Sequence, residues 1–244
     1  MDIGKALTFI TEDERYLEKL GIGVALLLIS GIASVAFVGV LGSFILMGYS
    51  LRLLKNVRDG VEKPLPEWNQ WGDDLTRGFK LMVVGLVWAL PILVLVVPLA
   101  IGGGMADSNT EAAQVFGGLI LFGATCLIAI YSIFVAVMMP GMTIAFAKDE
   151  TIRSGLQITE ISRWTMKNLG QVVIASLVSW AAGAVFGIVA MVGGLLLCIV
   201  GLVVTVPLSG LVTMLFQYHL FGQLARELPI DDASASTGMS VTNT

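Results

Sequence analysis

Charge is missing from most of this chain. Residues 20–51, 81–106, 112–147 and 168–225 contain no Asp, Glu, Lys or Arg, and together they make up well over half of the 244 residues. Charged residues are 13% of the sequence and hydrophobic residues 56%, with a mean hydropathy of +0.89. Such a balance excludes the soluble globular class. A helix crosses a hydrocarbon core about 30 Å thick with roughly 20 mainly apolar residues, so the blocks read as membrane segments and the longest holds two. The same lack removes the usual signs of chemistry or ion coupling inside a membrane. The one histidine, His219, lies near the exit of the last block.

Other shortages narrow the function further. Only two cysteines are present, Cys126 and Cys198, each in a separate apolar block, and we expect both to be small packing residues. No carboxylate or thiol stands near His219 at metal-ligand spacing, and none is placed to orient it as a base. His219 is expected to be a satisfied interfacial side chain. We therefore expect no catalytic residue, no cofactor and no metal, and do not read the chain as an enzyme. A net charge of −4 offers no basic footprint for nucleic acid. Gly102-Gly103-Gly104 lacks the lysine and the strand–helix context of a phosphate loop, and reads as a flexible turn. The first residues carry Asp2, Glu12, Asp13, Glu14 and Glu18, which is unlike a cleavable signal peptide.

What is present is patterned. The basic residues fall in four places: Lys5 to Lys19, Arg52 to Lys80, Lys148 to Lys167, and Arg226. The short 102–111 segment has Asp107 and Glu111 and no base. Cytoplasmic loops carry the excess of Lys and Arg, so the 52–80 and 148–167 segments are expected inside and 102–111 outside. Spans at about 81–101 and 115–147 join them, and the last block needs two helices turning near Gly193–Gly194. Residues 20–51 make one tilted helix, for five spans, or a hairpin broken near Ser30–Ser34, for six. Thr11-Glu12-Asp13-Glu14 reads as a capping box that lengthens the first arm, and Lys5, Arg15 and Lys19 favour an inside N-terminus, so six is preferred.

A weak internal repeat supports an even count. Met47 and Met139, Gly78 and Gly170, and Gly102 and Gly194 are each separated by the same offset. Ser179, Gly183 and Gly187 form a small-xxx-small stripe that suits close helix packing within the chain or between copies. Pro91, Pro98, Pro140 and Pro207 fall in or at the edge of spans, where they are expected to bend them. The fold expected is an all-α, polytopic transmembrane bundle of about six segments with interfacial cytoplasmic helices. It occupies residues 1–228, with 229–244 a disordered tail poor in apolar residues.

Two segments stand out as candidate surfaces. In the first loop Pro64 and Pro66 hold the backbone extended, and Trp68 and Trp71 suit the headgroup level. From Trp71, the spacing of Leu75 and Phe79 predicts a short helix lying against the interface. The loop is either a docking surface for a partner or a structural belt. In the second segment Arg153, Glu160, Arg163 and Lys167 share a helical stripe, either a site for anionic headgroups or an ordinary solvated face.

Gly48-Tyr49, Arg52-Leu53-Leu54-Lys55-Asn56-Val57, Gly60, Pro64-Leu65-Pro66-Glu67-Trp68 and Trp71-Gly72 together resemble the signature of the domain of unknown function 4013 family, prokaryotic polytopic membrane proteins. Met1 to Leu7 and Gly141 to Ala147 are similar to that family as well. The likeness covers about residues 1–228. Members commonly read Trp-Asp-Asp-Trp where this chain has Trp68-Asn69-Gln70-Trp71, so no essential carboxylate is expected at Asn69 or Gln70. The resemblance implies class and extent, and no activity.

Two functions from different classes remain. One is a non-enzymatic scaffold or accessory subunit of the cell membrane, organising lipid, a membrane-protein partner or a second copy. The other is a passive permease or channel for a neutral or apolar solute, which repeats, glycines and broken helices would suit.

Overall fold

The computed structural model describes residues 1–33, 39–197 and 201–230. All the regular structure among them is helical: α1 (Ile3–Thr8), α2 (Tyr16–Ala33), α3 (Gly39–Arg58), α4 (Trp71–Ala106), α5 (Glu111–Asp149), α6 (Ile152–Gly155), α7 (Ile158–Lys167), α8 (Leu169–Leu196) and α9 (Leu202–Glu227). Four of these, α4, α5, α8 and α9, are long and apolar enough to cross a membrane. Helices α2 and α3 are not among the four. Each spends turns on charge, Glu18 and Lys19 at the start of α2 and Arg52, Lys55 and Arg58 at the end of α3. Their charge-free lengths over the described residues are about 20 Å each, at 1.5 Å per residue, and residues 34–38 between them lie outside the described residues.

Helices follow one another as sequential pairs, α2 with α3, α4 with α5, and α8 with α9, each packed on its neighbour. The connection from α4 to α5 is only Asp107–Thr110. Gly102 to Gly104 are therefore not a turn but part of the last helical turns of α4, which ends at Ala106. Gly102 is where the two backbones close: a Cβ there would stand 3.0 Å from the Gly117 carbonyl oxygen. Gly194 likewise sits within α8, and a Cβ on it would meet the Leu202 Cα at 2.9 Å, so the α8–α9 turn follows Leu196 rather than falling at Gly193–Gly194. This pair of repeat glycines shares a role; Gly78 and Gly170 do not. Gly78 abuts the α3 backbone at Phe44, whereas Gly170 faces open space.

The buried core lies chiefly at one end, with only small residues such as Gly102, Gly117, Ala124 and Ala190 buried at the other. Helix α3 is buried on all sides over Gly48–Leu51, α5 over Pro140–Ala147, and α9 over Tyr218–Ala225. These are the C-terminal parts of three helices that converge, and a helix apolar all round is one that others surround. The opposite halves of α4, α5, α8 and α9 touch chiefly their own hairpin partner and leave Val94, Phe122, Ile130, Val189 and Leu196 exposed. Exposed apolar side chains of that density need a lipid or protein solvent. Pro91 and Pro98 lie inside α4, Pro140 inside α5 and Pro207 inside α9, and each helix continues through them.

Three details differ from the sequence expectation. No capping box forms at Thr11: its hydroxyl donates to Thr8 O at 2.8 Å, and α2 begins at Tyr16. Asp13 takes the acceptor role, receiving the Arg15 N–H at 2.8 Å while its other oxygen holds Lys19 at 2.7 Å. Trp71 does not open a separate interfacial helix but the 36-residue α4, about 54 Å long, whose charged first turns stand clear of its apolar span. Residues 150–168 are not one helix: α6 and α7 are separated at Leu156–Gln157, which takes Arg153 off the stripe of Arg163 and Lys167. Ser34, Cys198 and the tail from Asp231 lie outside the described residues.

Candidate functional site

Apart from Asp107 and Glu111 at the α4–α5 connection, the charge that the sequence kept out of the spans gathers at the end where the core lies. Helix α3 crosses α4 so closely that Cβ atoms on Gly48 and Gly78 would stand 2.0 Å from Asp74 O and 1.8 Å from Phe44 O. This crossing sets Asp74, fully buried, beside Arg52. The guanidinium donates twice to the carboxylate, Nε to Oδ1 at 2.8 Å and Nη2 to Oδ2 at 2.6 Å, the bidentate geometry that suits Arg. Arg77 Nη1 adds a third bond to Asp74 at 3.1 Å and, through Nε, reaches Glu150 at 3.0 Å. Lys55 closes the chain on Glu150 at 2.7 Å. Three helices, α3, α4 and α5, are thereby linked through one alternating series of charges.

The proline–tryptophan loop lies across this network. Pro64, Leu65 and Pro66 are buried, and their carbonyls are all used: Asn56 Nδ2 donates to Pro64 O at 2.8 Å, Lys19 Nζ to Leu65 O at 3.1 Å, and the Tyr49 hydroxyl to Pro66 O at 2.8 Å. Trp68 stacks between Tyr49 and Trp71, with ring centroids at 4.0 and 5.2 Å. Its indole N–H donates to Lys19 O at 3.0 Å, and that of Trp71 to Trp68 O at 3.0 Å. Arg52 also donates to Glu67 O at 2.8 Å and sits over the Tyr49 ring. Asn69 and Gln70, at the positions that depart from the family pattern, accept from Arg52 and Arg77 at 3.3 and 3.0 Å. An amide oxygen fills that role without adding negative charge to a network that already holds Asp74 and Glu150.

The carboxylates outside the helical spans respond to this setting. Burial pushes Glu150 up, but hydrogen bonds from Lys55 and Arg77 outweigh it and hold the group below the ordinary carboxylate range. Asp13 shows the same contest, burial against the bond from Lys19, with the same outcome. For Glu67 the bond from Lys19 is the largest influence and lowers it.

Helices α6 and α7 cover the other side. Gly141 leaves room for α7 on α5: a Cβ there would stand 2.7 Å from Thr165 Oγ1 and 3.2 Å from the Trp164 ring. Ile161, Trp164 and Thr165 are buried in that contact, and the Trp164 indole donates to Leu228 O at 3.0 Å. Thr151 caps α6, accepting from Ser154 N–H at 3.2 Å, and Trp88 of α4 donates to Gly155 O at 3.0 Å. With those faces occupied, Arg153, Arg163 and Lys167 point outward. None of the three makes an ion pair or side-chain hydrogen bond with another described residue.

Of the residues the sequence singled out, Pro64, Pro66 and Trp68 are thus consumed inside the molecule, Trp71 is partly exposed, and only Arg153, Arg163 and Lys167 remain free. Sequence reasoning missed Asp74 and Glu150, the two carboxylates on which the end is built. No local signal set them apart, since most acids of the chain lie within two turns of an apolar block. Among the described residues no group of three His, Cys, Asp or Glu gathers as metal ligands.

Comparison with known proteins yields one match. Residues 31–199 fit the family model described as Protein of unknown function (DUF4013). The range includes the proline–tryptophan loop and Gly141 to Ala147, and leaves out Met1 to Leu7. No curated protein and no solved structure matches the chain. The matched range is well over half of the chain and contains its most distinctive loop, and the chain belongs to the DUF4013 family of membrane proteins.

Proposed function

We propose that this protein is a non-enzymatic scaffold or accessory subunit of the cell membrane that gathers anionic lipid, or a partner carrying the same charge, on the outward face of α6 and α7. One observation carries the reading. At a single end of the molecule, Lys19, Arg52, Lys55 and Arg77 are all paired within the chain, whereas Arg153, Arg163 and Lys167 are exposed with no intramolecular partner. Unpaired cations beside a membrane attract anionic headgroups by about 1 kcal/mol each. The proline–tryptophan loop serves as a belt, since its aromatic faces, N–H groups and carbonyls are already engaged.

In this reading the charged end is cytoplasmic, because the bases lie there, and Asp107–Thr110 faces outside. Helices α2 and α3 are the third hairpin, giving six segments in three pairs, each preceded by a polar stretch: α1, the proline–tryptophan loop, and α6 with α7. The repeat is supported by the matching glycine contacts at Gly102 and Gly194.

The test is lipid retention. Protein purified in mild detergent from membranes is compared with the triple variant Arg153→Gln, Arg163→Gln, Lys167→Gln. The variant is expected to keep its melting temperature and lose most co-purifying anionic lipid or a stoichiometric partner. Equal retention by both proteins contradicts the proposal. Cysteine labelling of Ser108→Cys from outside and of Asn69→Cys only after permeabilisation, in a background with Cys126 and Cys198 replaced by Ala, tests the orientation.

A second reading, a passive permease for an apolar solute, has support from an apolar cavity of about 290 Å³ between α3, α4, α5 and α9, lined by Met47, Met82, Met139, Met142 and Tyr218. Methionine-lined walls adapt to varied apolar shapes. Solute flux into liposomes that exceeds protein-free controls would select it.

A further inference from the structure

A second cavity, of about 480 Å³, opens between the end of α9, the start of α1 and the Gly60–Pro64 turn. On its wall is His219, 2% exposed and stacked on Phe9 with centroids 4.2 Å apart. Gln223 fixes the state of that ring. Its Oε1 accepts the Asp2 backbone N–H at 2.5 Å and its Nε2 donates to Asp2 O at 2.8 Å, so the amide has one allowed orientation. The same Nε2 lies 3.2 Å from His219 Nδ1, which must accept. The ring proton is then on Nε2. That nitrogen has no hydrogen-bond partner among the described residues, and the ring that carries it lines the cavity.

Two cations complete the wall. Lys5 and Arg226 line the cavity and form no ion pair with described residues. Gly60, at φ 75°, leaves room for the guanidinium: a Cβ there would stand 3.4 Å from Arg226 Cζ. The carboxylates nearby are already engaged. Asp2 Oδ1 accepts from Lys5 N–H at 2.9 Å as the cap of α1, and Glu227 holds the Met1 amino group at 2.6 Å. A guanidinium fork, an ammonium and a neutral imidazole N–H are donors without matching acceptors, the set that recognises phosphate. The volume exceeds that of a bare ion and falls in the range of small organic ligands.

We propose that this cavity binds a phosphate group, carried either by a small soluble ester or by a lipid headgroup. The site is separate from the α6–α7 face, and Arg226→Gln leaves Arg153, Arg163 and Lys167 untouched, so the two proposals fail independently. The sole histidine is its own reporter. Full-length protein with ¹³C-labelled histidine, in nanodiscs of phosphatidylcholine, is titrated with glycerol 3-phosphate against chloride at equal ionic strength. In a second arm phosphatidic acid replaces part of the phosphatidylcholine. A saturable shift of the His219 resonance in the first arm assigns a soluble ester, and a shift in the second arm alone assigns a headgroup. Either must weaken by at least about tenfold in Arg226→Gln, as loss of a charged hydrogen-bond donor implies. A resonance that moves in neither arm, or moves equally in Arg226→Gln, overturns the proposal.

Discussion

The two ends of the long hairpins are both rich in glycine and apolar side chains and behave in opposite ways. At the charged end, α3, α5 and α9 are buried on every side and the α3–α4 backbones touch at Gly48 and Gly78. At the other, α4 with α5 and α8 with α9 pack as separate pairs, and Gly103, Gly104, Gly118, Gly187 and Gly193 have no neighbour within reach of a Cβ. Glycine content alone therefore says little about packing in this protein. What decides is whether polar groups pull the helices together. A buried carboxylate such as Asp74 has to be surrounded by donors, and surrounding it brings three helices and a loop to one place.

Glycine replacement breaks this comparison most sharply. Gly48→Ala drives a methyl into the Asp74 backbone, which only a shift of α3 against α4 relieves. A loss of about 3 kcal/mol or more is expected from overpacking against main chain, read as a fall in melting temperature in one detergent. Gly187→Ala, at the other end, is expected to be neutral or to gain up to about 1 kcal/mol from helix propensity. Matching effects at the two positions would erase the distinction.

The loop sharpens the same contrast. Trp68→Ala removes a ring held between Tyr49 and Trp71 together with its indole bond to the Lys19 carbonyl, so a loss of about 2–3 kcal/mol is expected, with associations unchanged in the protein that remains folded. Loss of a co-purifying protein with full thermal stability would instead return the loop to a docking role.

Acid acts more mildly and on one end only. The Asp13, Glu67 and Glu150 carboxyls are all held below their ordinary values in the folded protein. An unfolded chain takes up those protons first as pH falls. The stability they contribute is therefore complete above the unfolded values, near 3.8 for Asp and 4.5 for Glu, and is lost as pH drops through the folded ones. The contribution of these three carboxylates should be flat from about pH 8 to 5 and fall below about pH 4, with Glu150→Gln removing part of that acid slope in melting temperature. A fall that begins near neutrality would point to another group.

Membrane class, helix-rich fold and family were legible in the sequence because they rest on long charge-free runs and on the Pro64 to Trp71 loop. The rest was hidden for physical reasons. Whether Gly102 is a turn or a helix end depends on how near α5 comes, and no local pattern encodes that. Thr11 satisfies the spacing of a capping box, but Asp13 forms a local turn on the Arg15 N–H and an ion pair with Lys19, and α2 begins only at Tyr16. That Tyr49, Asn56 and Lys19 reach the carbonyls of the loop is likewise a tertiary fact that no local pattern encodes.

The Arg52–Asp74 pair offers the most direct test of whether the charged end holds the molecule together. Unfolding free energies of Arg52→Ala, Asp74→Ala and the double variant, measured in the same detergent, form a thermodynamic cycle. Asp74→Ala alone should cost about 3–5 kcal/mol, since it leaves Arg52 and Arg77 without their shared carboxylate. Removing Arg52 as well should cost little more, so the double variant is expected to be more stable than the sum of the single losses by about 1–3 kcal/mol. Losses that simply add, or single variants that melt with the native protein, would contradict a fold anchored by this network.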